Sequence, residues 1–418
     1  MTIVFLNYPN ENPQNYFKIQ RTVLKLFGVS FDGYKNYAYT IYSILWLLSI
    51  LLTNTVIELY EVYVYINNID TVVNILSYIG TDVLGVIKIA VLLYYSKEIR
   101  EMLDGLEKGV FYPNQKRGGK IETDLVKKCI IINNRQTFIY YFTVVAVCGI
   151  GCFGTMITRI FFGHKELPFM PFSWFDASES PYYEIVWFYQ TYWRTSYALM
   201  VSSTDSLIAG ILLHISTQCK ILQNAVKRVI ENAYNEAFGN NKSRSDDIDP
   251  SKIPWNILEK HIKLIINYHG DVIGLADKFE KLFSLLLLCV FAATLFILCF
   301  IMYHASLFDL ISMRAAQDFS YVGVVTVQVF LYCFWGNEVR DESVKIADAC
   351  WETNFVGTDV RFQKALASII RRSQKPIVIT AGKFSDLSLK SYVWLIRASY
   401  SYYMVLGNRQ KKELEITL

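Results

Sequence analysis

Four charged residues, Asp82, Lys88, Arg194 and Asp205, stand inside stretches of this chain that are otherwise almost wholly apolar. In hydrocarbon each costs about 2.5–3.5 kcal/mol on insertion scales, so each needs an opposite charge or a watery cavity. Asp82 is expected to neighbour Arg194 as an interhelical ion pair, with contact to a bound ligand as the competing role. Arg194 and Asp205 are close to three helical turns apart; they share a face but stand about 16 Å from one another and cannot pair. Lys88 and Arg159 fall near the ends of their stretches and are expected to snorkel toward water. Catalytic chemistry is not indicated. HExxH, GxSxG, CxxC and P-loop patterns do not occur, and His164, His214, His261, His269 and His304 lack metal-ligand spacing. The expectation is no enzyme, no cofactor and no metal, with His261 and His269 as solvated or packed side chains.

The elements that carry these charges are seven apolar runs, at residues 38–59, 71–94, 137–162, 185–213, 283–304, 319–335 and 384–406. A helix needs roughly 20 mostly apolar residues to cross about 30 Å of hydrocarbon, and the first, second, third and fifth runs meet that easily. The fourth holds Ser202, Ser203 and Thr204 beside its charges, and the short sixth contains Gln328, so these two rest partly on the charge pattern. The N-terminal segment and alternate gaps carry 31 of the 41 Lys and Arg. Cytoplasmic loops accumulate such residues, which places the N-terminus in the cytosol and, after an odd number of spans, Leu418 outside. With 53% hydrophobic and 19% charged residues the composition is that of a polytopic membrane protein. The basic residues are spread over four segments, which gives no reason to expect nucleic acid. No cleaved signal peptide is evident in the first residues. The eight cysteines avoid the predicted outer loops and are expected to be free, buried thiols.

Helical spacing continues past the spans. Ile215, Cys219, Leu222, Val226, Val229 and Ala233 extend the fourth into the cytosol, and Leu258, Ile262, Ile265 and Ile266 lead into the fifth, with a polar linker at 240–254 between them. Val339, Ile346 and Cys350 mark another cytoplasmic helix. Apolar stripes outside a bilayer must be buried against something, so a cytoplasmic bundle that organises an oligomer is expected. The fold class is thus an all-α membrane protein of seven transmembrane helices, N-terminus cytoplasmic and C-terminus extracellular, with a cytoplasmic helical anchor bundle. Its parts are a cytoplasmic segment (1–37), spans one to six (38–336) with helical extensions at 95–136 and 214–282, an anchor helix (337–376), the seventh span (377–407) and an extracellular tail (408–418). In the last span Lys383, Lys390 and Arg397 recur every seven residues, followed by Tyr400, Ser401, Tyr402 and Tyr403. That cluster reads as an interfacial aromatic belt or as part of a pore-lining helix.

This plan, together with YCFWGNEVRDESVKIADACWE from Tyr332 and GKFSDLSLKSYVWLIRASYSYYMVL from Gly382, resembles the insect odorant receptor family. The motifs cover about the last ninety residues. The related gustatory receptors carry a Thr-Tyr and Gln-Phe signature at this end, of which SYYMVLGNR keeps only the tyrosine. The resemblance implies a ligand-gated cation channel of four subunits, with the last helix of each lining a central pore. The short linker in the loop before the fifth span resembles odorant-tuning subunits and not the longer shared co-receptor. The implied partners are odorant co-receptor subunits in a tetramer, a small volatile odorant and membrane lipid, in the plasma membrane of an olfactory sensory neuron.

Against the co-receptor's similar ending, Val405 matches the hydrophobic gate position and Asn408 a polar residue near the ion path. Tyr402 falls in the same pore stretch. Arg409 departs from the pattern, and a ring of four arginines would repel cations, which fits a mixed tetramer. The resemblance places the odorant site in the outer half of the bundle, among spans two to six. The residues expected there are Leu76, Ile79, Phe153, Met156, Ile157, Tyr192, Tyr197, Met200, Tyr303 and Tyr321. The alternatives are a seven-span G-protein-coupled receptor, which needs an outside N-terminus and usually a DRY sequence, a gustatory-type channel, and a transporter, for which no repeated half is apparent. A glycan at the sequon of Asn241 would favour the first of these.

Overall fold

The computed structural model describes residues 16–31, 37–239, 249–308 and 312–417, and in the last helix its side chains through Met404. The elements in chain order are α1 (Lys18–Leu26), α2 (Tyr37–Val64), α3 (Ile69–Tyr94), α4 (Ser96–Lys108), α5 (Gln115–Phe162), α6 (Tyr182–Lys227) and α7 (Val229–Phe238). They are followed by α8 (Trp255–Ala305), α9 (Met313–Trp351), α10 (Val360–Ser373), a two-stranded hairpin of β1 (Thr380–Ala381) and β2 (Ser385–Asp386), and α11 (Leu389–Thr417). Among the described residues, α3, α5, α6, α8 and α9 are long and apolar enough to cross a membrane. The first and last apolar runs fall on α2 and α11, of 28 and 29 residues.

Four of these helices are far longer than a membrane requires. α5, α6, α8 and α9 have 48, 46, 51 and 39 residues, and 46 residues at 1.5 Å each extend about 70 Å, more than twice the hydrocarbon thickness. Their surplus lengths lie together at one end of the bundle with α1, α4, α7 and α10, here the anchor end. The connections α2–α3, α5–α6 and α8–α9 meet at the other, the loop end. Helix starts there are fixed locally: Asn68 accepts from the Thr71 amide at 3.2 Å and Ser312 from the Ala315 amide at 3.1 Å, each satisfying a donor of the first turn. The stripe expected to extend the fourth span is carried by α6 through Val226 and, past a break at Arg228, by Val229 and Ala233 of α7. Leu258, Ile262 and Ile265 are buried on α8, whereas Ile266 is exposed; Val339, Ile346 and Cys350 are buried on α9.

α6 is the central column. In it 89% of the most apolar window is buried, against 33–50% in the other four spans, and every residue from Met200 to Cys219 is enclosed. The polar Ser202, Ser203 and Thr204 fit because each hydroxyl donates to a carbonyl three or four residues back, Leu199 O at 3.0 and 2.6 Å and Met200 O at 3.4 Å. Such small residues let neighbouring helices approach closely.

The N-terminal segment is a structured part of this core. Tyr16 stacks on the His214 ring of α6 with centroids 4.8 Å apart, and Phe17 lies at 5.1 Å. Gln20 donates to Thr137 Oγ1 at 2.9 Å, while Arg21 reaches Glu107 at 3.2 Å. All eight cysteines are free. Burial pushes the thiols of Cys129, Cys219 and Cys350, at the anchor end, up to about 12, which keeps them protonated and unreactive.

Two expectations change at the C-terminal end. The anchor segment 337–376 is the end of α9 and then α10, divided by a turn in which Asp359 accepts from the Arg361 amide at 2.8 Å and starts α10. Lys383 does not share a helical face with Lys390 and Arg397, because α11 begins only at Leu389. Lys383 instead sits in the hairpin turn at φ 63° beside Gly382 at φ 62°, a pair of left-handed residues that closes a tight hairpin. The Gly382 amide donates to Ser284 O of α8 at 2.8 Å. Gly336 of α9 lets the start of the last helix dock: a Cβ there would stand 2.5 Å from Leu387 Cβ and 2.7 Å from its carbonyl oxygen.

Gly336→Ala should therefore lower thermal stability, as overpacking does by about 1–3 kcal/mol. Gly105→Ala on α4, where an added Cβ meets nothing within 4 Å, should leave it unchanged or raised. Melting of the detergent-solubilised protein, followed by size-exclusion chromatography after heating, checks both, and equal melting of the two variants would contradict the docking role.

Candidate ligand chamber and its buried ion networks

One stripe on each of four helices converges on a small chamber of about 100 Å³. α6 contributes Arg194, Tyr197, Ala198, Val201, Ser202 and Asp205, and α9 contributes Gln317, Tyr321, Val324, Val325 and Gln328, both at helical steps of three and four. α5 adds Tyr140, Val144, Val147 and Cys148, and α3 adds Tyr78 and Thr81, with Phe169 entering from the α5–α6 loop. Toward the loop end lies a wider vestibule of about 850 Å³, whose rim carries Asp70, Lys165, Glu166, Asp176 and Arg314. Tyr78, Phe169 and Gln317 belong to both walls and form the partition. Tyr78 stacks on Tyr321 at 5.9 Å and meets Phe169 edge-on at 6.4 Å, while Gln317 donates to Pro168 O at 3.1 Å.

Asp205 forms the floor. Lys88 Nζ of α3 lies 2.5 Å from Asp205 Oδ1, the Tyr332 hydroxyl of α9 donates to the same oxygen at 2.5 Å, and the Tyr140 hydroxyl of α5 donates to Oδ2 at 3.2 Å. None of the four is more than 3% exposed, so the carboxylate has exchanged its water for three protein donors. This corrects the snorkelling expected of Lys88: a stem that reaches a buried carboxylate has no need of the interface. Arg159 does pair near the loop end, with Glu184.

The second network flanks the chamber. Arg194 donates to Asp82 Oδ1 at 2.8 Å, the pairing expected from the sequence, and also to Glu58 Oε1 of α2 at 2.6 Å. Its guanidinium lies 4.8 Å from the Tyr78 ring centroid, within cation–π range. The Tyr197 hydroxyl donates to the Asp82 carbonyl oxygen. Glu58 escaped the sequence reading although it is the one carboxylate within the first run at 38–59, which was the signal available. At the anchor end His261 Nε2 is 2.9 Å from Glu236 Oε2, and His269 is buried, its pKa pushed down to about 4 by desolvation and by Arg372.

Of the residues expected at the ligand site, Tyr197 and Tyr321 meet in the chamber wall. The others are placed elsewhere. Met200 is fully buried in the α6 core, and Tyr303 is buried with its hydroxyl 3.3 Å from Asp70 Oδ1. Leu76 and Ile79 flank Tyr78 and are half-buried. Phe153, Met156 and Ile157 lie on an outward face of α5, 66%, 43% and 41% exposed. Tyr192 points outward on α6 beside Trp46 of α2, ring centroids 6.3 Å apart. No α8 side chain lines the chamber, although the fifth span was included in the expectation. Tyr402 is exposed on α11. The side chains of Val405, Asn408 and Arg409, and the sequon at Asn241, lie outside the described residues.

A family model described as 7tm Odorant receptor matches residues 68–400. Odorant receptor 10 of Aedes albopictus is 30% identical over 251 residues, 59% of this chain and 61% of that receptor. Odorant receptor 85b of Drosophila melanogaster is 23% identical over 366 residues, 83% of this chain and 85% of the receptor. The structure of the insect olfactory receptor OR5 from Machilis hrabei in complex with eugenol superposes with a TM-score of 0.75 at 13% identity, covering 95% of this chain and 98% of that one. That likeness is of fold.

Removing one partner of a buried ion pair costs about 3–5 kcal/mol because the other charge is left uncompensated, whereas replacing both with apolar groups can be neutral. Lys88→Met alone should therefore sharply reduce the yield of monodisperse protein, and Lys88→Met with Asp205→Asn, which removes both charges and keeps an acceptor for the Tyr140 and Tyr332 hydroxyls, should recover most of it. A double variant no better than the single one would show that the pair does not hold these helices.

Proposed function

Because the chain belongs to the insect odorant receptor family, we propose that it is the odorant-binding subunit of a heteromeric ligand-gated cation channel, opened by small volatile apolar molecules that occupy the chamber between α3, α5, α6 and α9. The observation that carries this reading is the small, largely apolar chamber that adjoins a wider vestibule. Volatile apolar molecules gain affinity from leaving water, about 0.8 kcal/mol per buried methylene before ordering costs, so ten carbons offer at most roughly 8 kcal/mol and micromolar binding. The vestibule is larger and has apolar walls of its own, but Asp70, Lys165, Glu166, Asp176 and Arg314 share its lining, whereas the chamber's is mostly apolar. The chamber's 100 Å³ is below the roughly 300–1,000 Å³ usual for ligand sites. A ligand longer than a few carbons therefore displaces the partition of Tyr78, Phe169 and Gln317 and extends toward the vestibule.

The protein works in the plasma membrane of an olfactory neuron with its N-terminus in the cytosol, a direction supported by the Lys and Arg bias and by the packing of α1 at the anchor end. Co-receptor subunits complete a tetramer. α11 packs against α8 and α9, while Lys390, Trp394, Arg397 and Tyr402 stay uncovered in the single chain, the face a helix would turn toward partners or a water-filled path. Val405 serves as gate and Asn408 lies by the ion path; four copies of Arg409 would repel cations, which favours a mixed ring. Opening requires the ligand to bind the open arrangement more tightly than the closed one. The family match is to odorant receptors, so the G-protein-coupled and gustatory readings receive no support from it.

Currents recorded with G-protein signalling blocked should appear under volatile ligands only when this chain and the co-receptor are present together. Ala198→Trp, which fills the chamber, should raise the half-maximal ligand concentration at least about tenfold, the effect of 1.4 kcal/mol, at unchanged surface level. Equal currents from the co-receptor alone, or an unshifted dose–response in the filled variant, would overturn the proposal.

A further inference from the structure

Gln328 stands out in the chamber wall. A carboxamide in a membrane span is costly unless paired, yet Gln328 is only 8% exposed and its Nε2 has no hydrogen-bond partner among the described residues. Its polar neighbours in the chamber are committed. Asp205 is held by Lys88 and Tyr140, Tyr197 donates to the Asp82 carbonyl, Thr81 and Tyr321 bond to one another, and Ser202 donates to its own helix. Around Gln328 the chamber offers Val324 and Val325 of α9 and Val201 of α6, none of which can hydrogen-bond through its side chain. The position also follows from the helix: Tyr321, Val324, Val325 and Gln328 form one stripe at steps of three and four.

We propose that the ligand of this chain carries one hydrogen-bonding oxygen, as in a short ketone, ester or alcohol, and that the Gln328 carboxamide reads it while the valines take the hydrocarbon. This rests on the chamber being the odorant site. The amide is suited to the task because it can donate to a carbonyl or accept from a hydroxyl after a half-turn of its terminal bond. A site with an unsatisfied buried amide favours a ligand that carries the oxygen, since only that ligand supplies the partner the amide lacks. The small chamber sets the length: the preferred ligands are short.

The test compares hexane, 2-hexanone and 1-hexanol on cells carrying this chain with the co-receptor. In the wild-type pair an oxygenated compound should act at concentrations about tenfold or more below hexane, one hydrogen bond's worth. In Gln328→Met, of similar size but without the amide, that ratio should fall toward one while the hexane response is kept or improved. Equal potency of all three compounds on the wild type overturns the proposal whether or not the variant reaches the surface. A ratio unchanged in Gln328→Met also overturns it. If Ala198→Trp shifts potency while Gln328→Met leaves the ratio intact, only this inference fails. If Ala198→Trp shifts nothing, the chamber itself is not the site.

Discussion

A single carboxylate, Asp205, is shared by four helices deep in the bundle, and the chamber exists because of it. Charged groups so deeply enclosed are tolerated only when fully paired, and here α3 supplies a cation while α5 and α9 supply hydroxyls. These contacts fix the depth and rotation of α3, α5 and α9 around α6 more tightly than apolar packing could, since apolar surface has no preferred register. Helices held at the floor and separated by side chains of uneven size leave a space above it. The Arg194 network with Asp82 and Glu58 brings α2 to the same column.

α9 relates this space to the rest of the molecule. Within one helix it carries the partition residue Gln317, the chamber stripe ending at Gln328, the floor residue Tyr332 and, four residues on, Gly336, against which the start of the last helix is docked. From Gln317 to Gly336 is about 28 Å of continuous helix at 1.5 Å per residue. A ligand that shifts the upper part of α9 acts on an element whose lower part touches both the ion hub and the origin of α11. The floor is anchored by charge, whereas the partition is held by aromatic stacking and one hydrogen bond from the Gln317 amide, so the part nearer the loop end is the more weakly held.

The architecture was legible where the physics is one-dimensional. Apolar runs, the Lys and Arg bias and the stripes that follow the fourth span and lead into the fifth all follow from position along the chain; α8 carries its stripe without a break, and the other passes from α6 to α7 at Arg228. The Asp82–Arg194 pair was legible because buried charges must find opposites and few were on offer. The same argument, applied to Lys88 and Asp205, would have found the hub; Lys88 was instead read from its distance to the span end. The chamber wall was harder to read. In a membrane helix every face is apolar, so periodicity does not separate lining from lipid-facing positions, and Phe153, Ile157 and Tyr192 lie on the outward faces. The hairpin before α11 was hidden because Phe384 and Leu387 look like the start of a hydrophobic span, although Gly382 and Lys383 turn the chain.

We propose that the ligand lies on the Asp205 floor between α6 and α9. The most direct test is an electron cryomicroscopy map of the mixed complex with a saturating agonist. The claim predicts ligand density between Ala198 and Val201 on one side and Val325 and Gln328 on the other, with Lys88, Asp205 and Tyr332 still joined beneath it. Density confined to the vestibule, or on the α2 side at Tyr192, would contradict it.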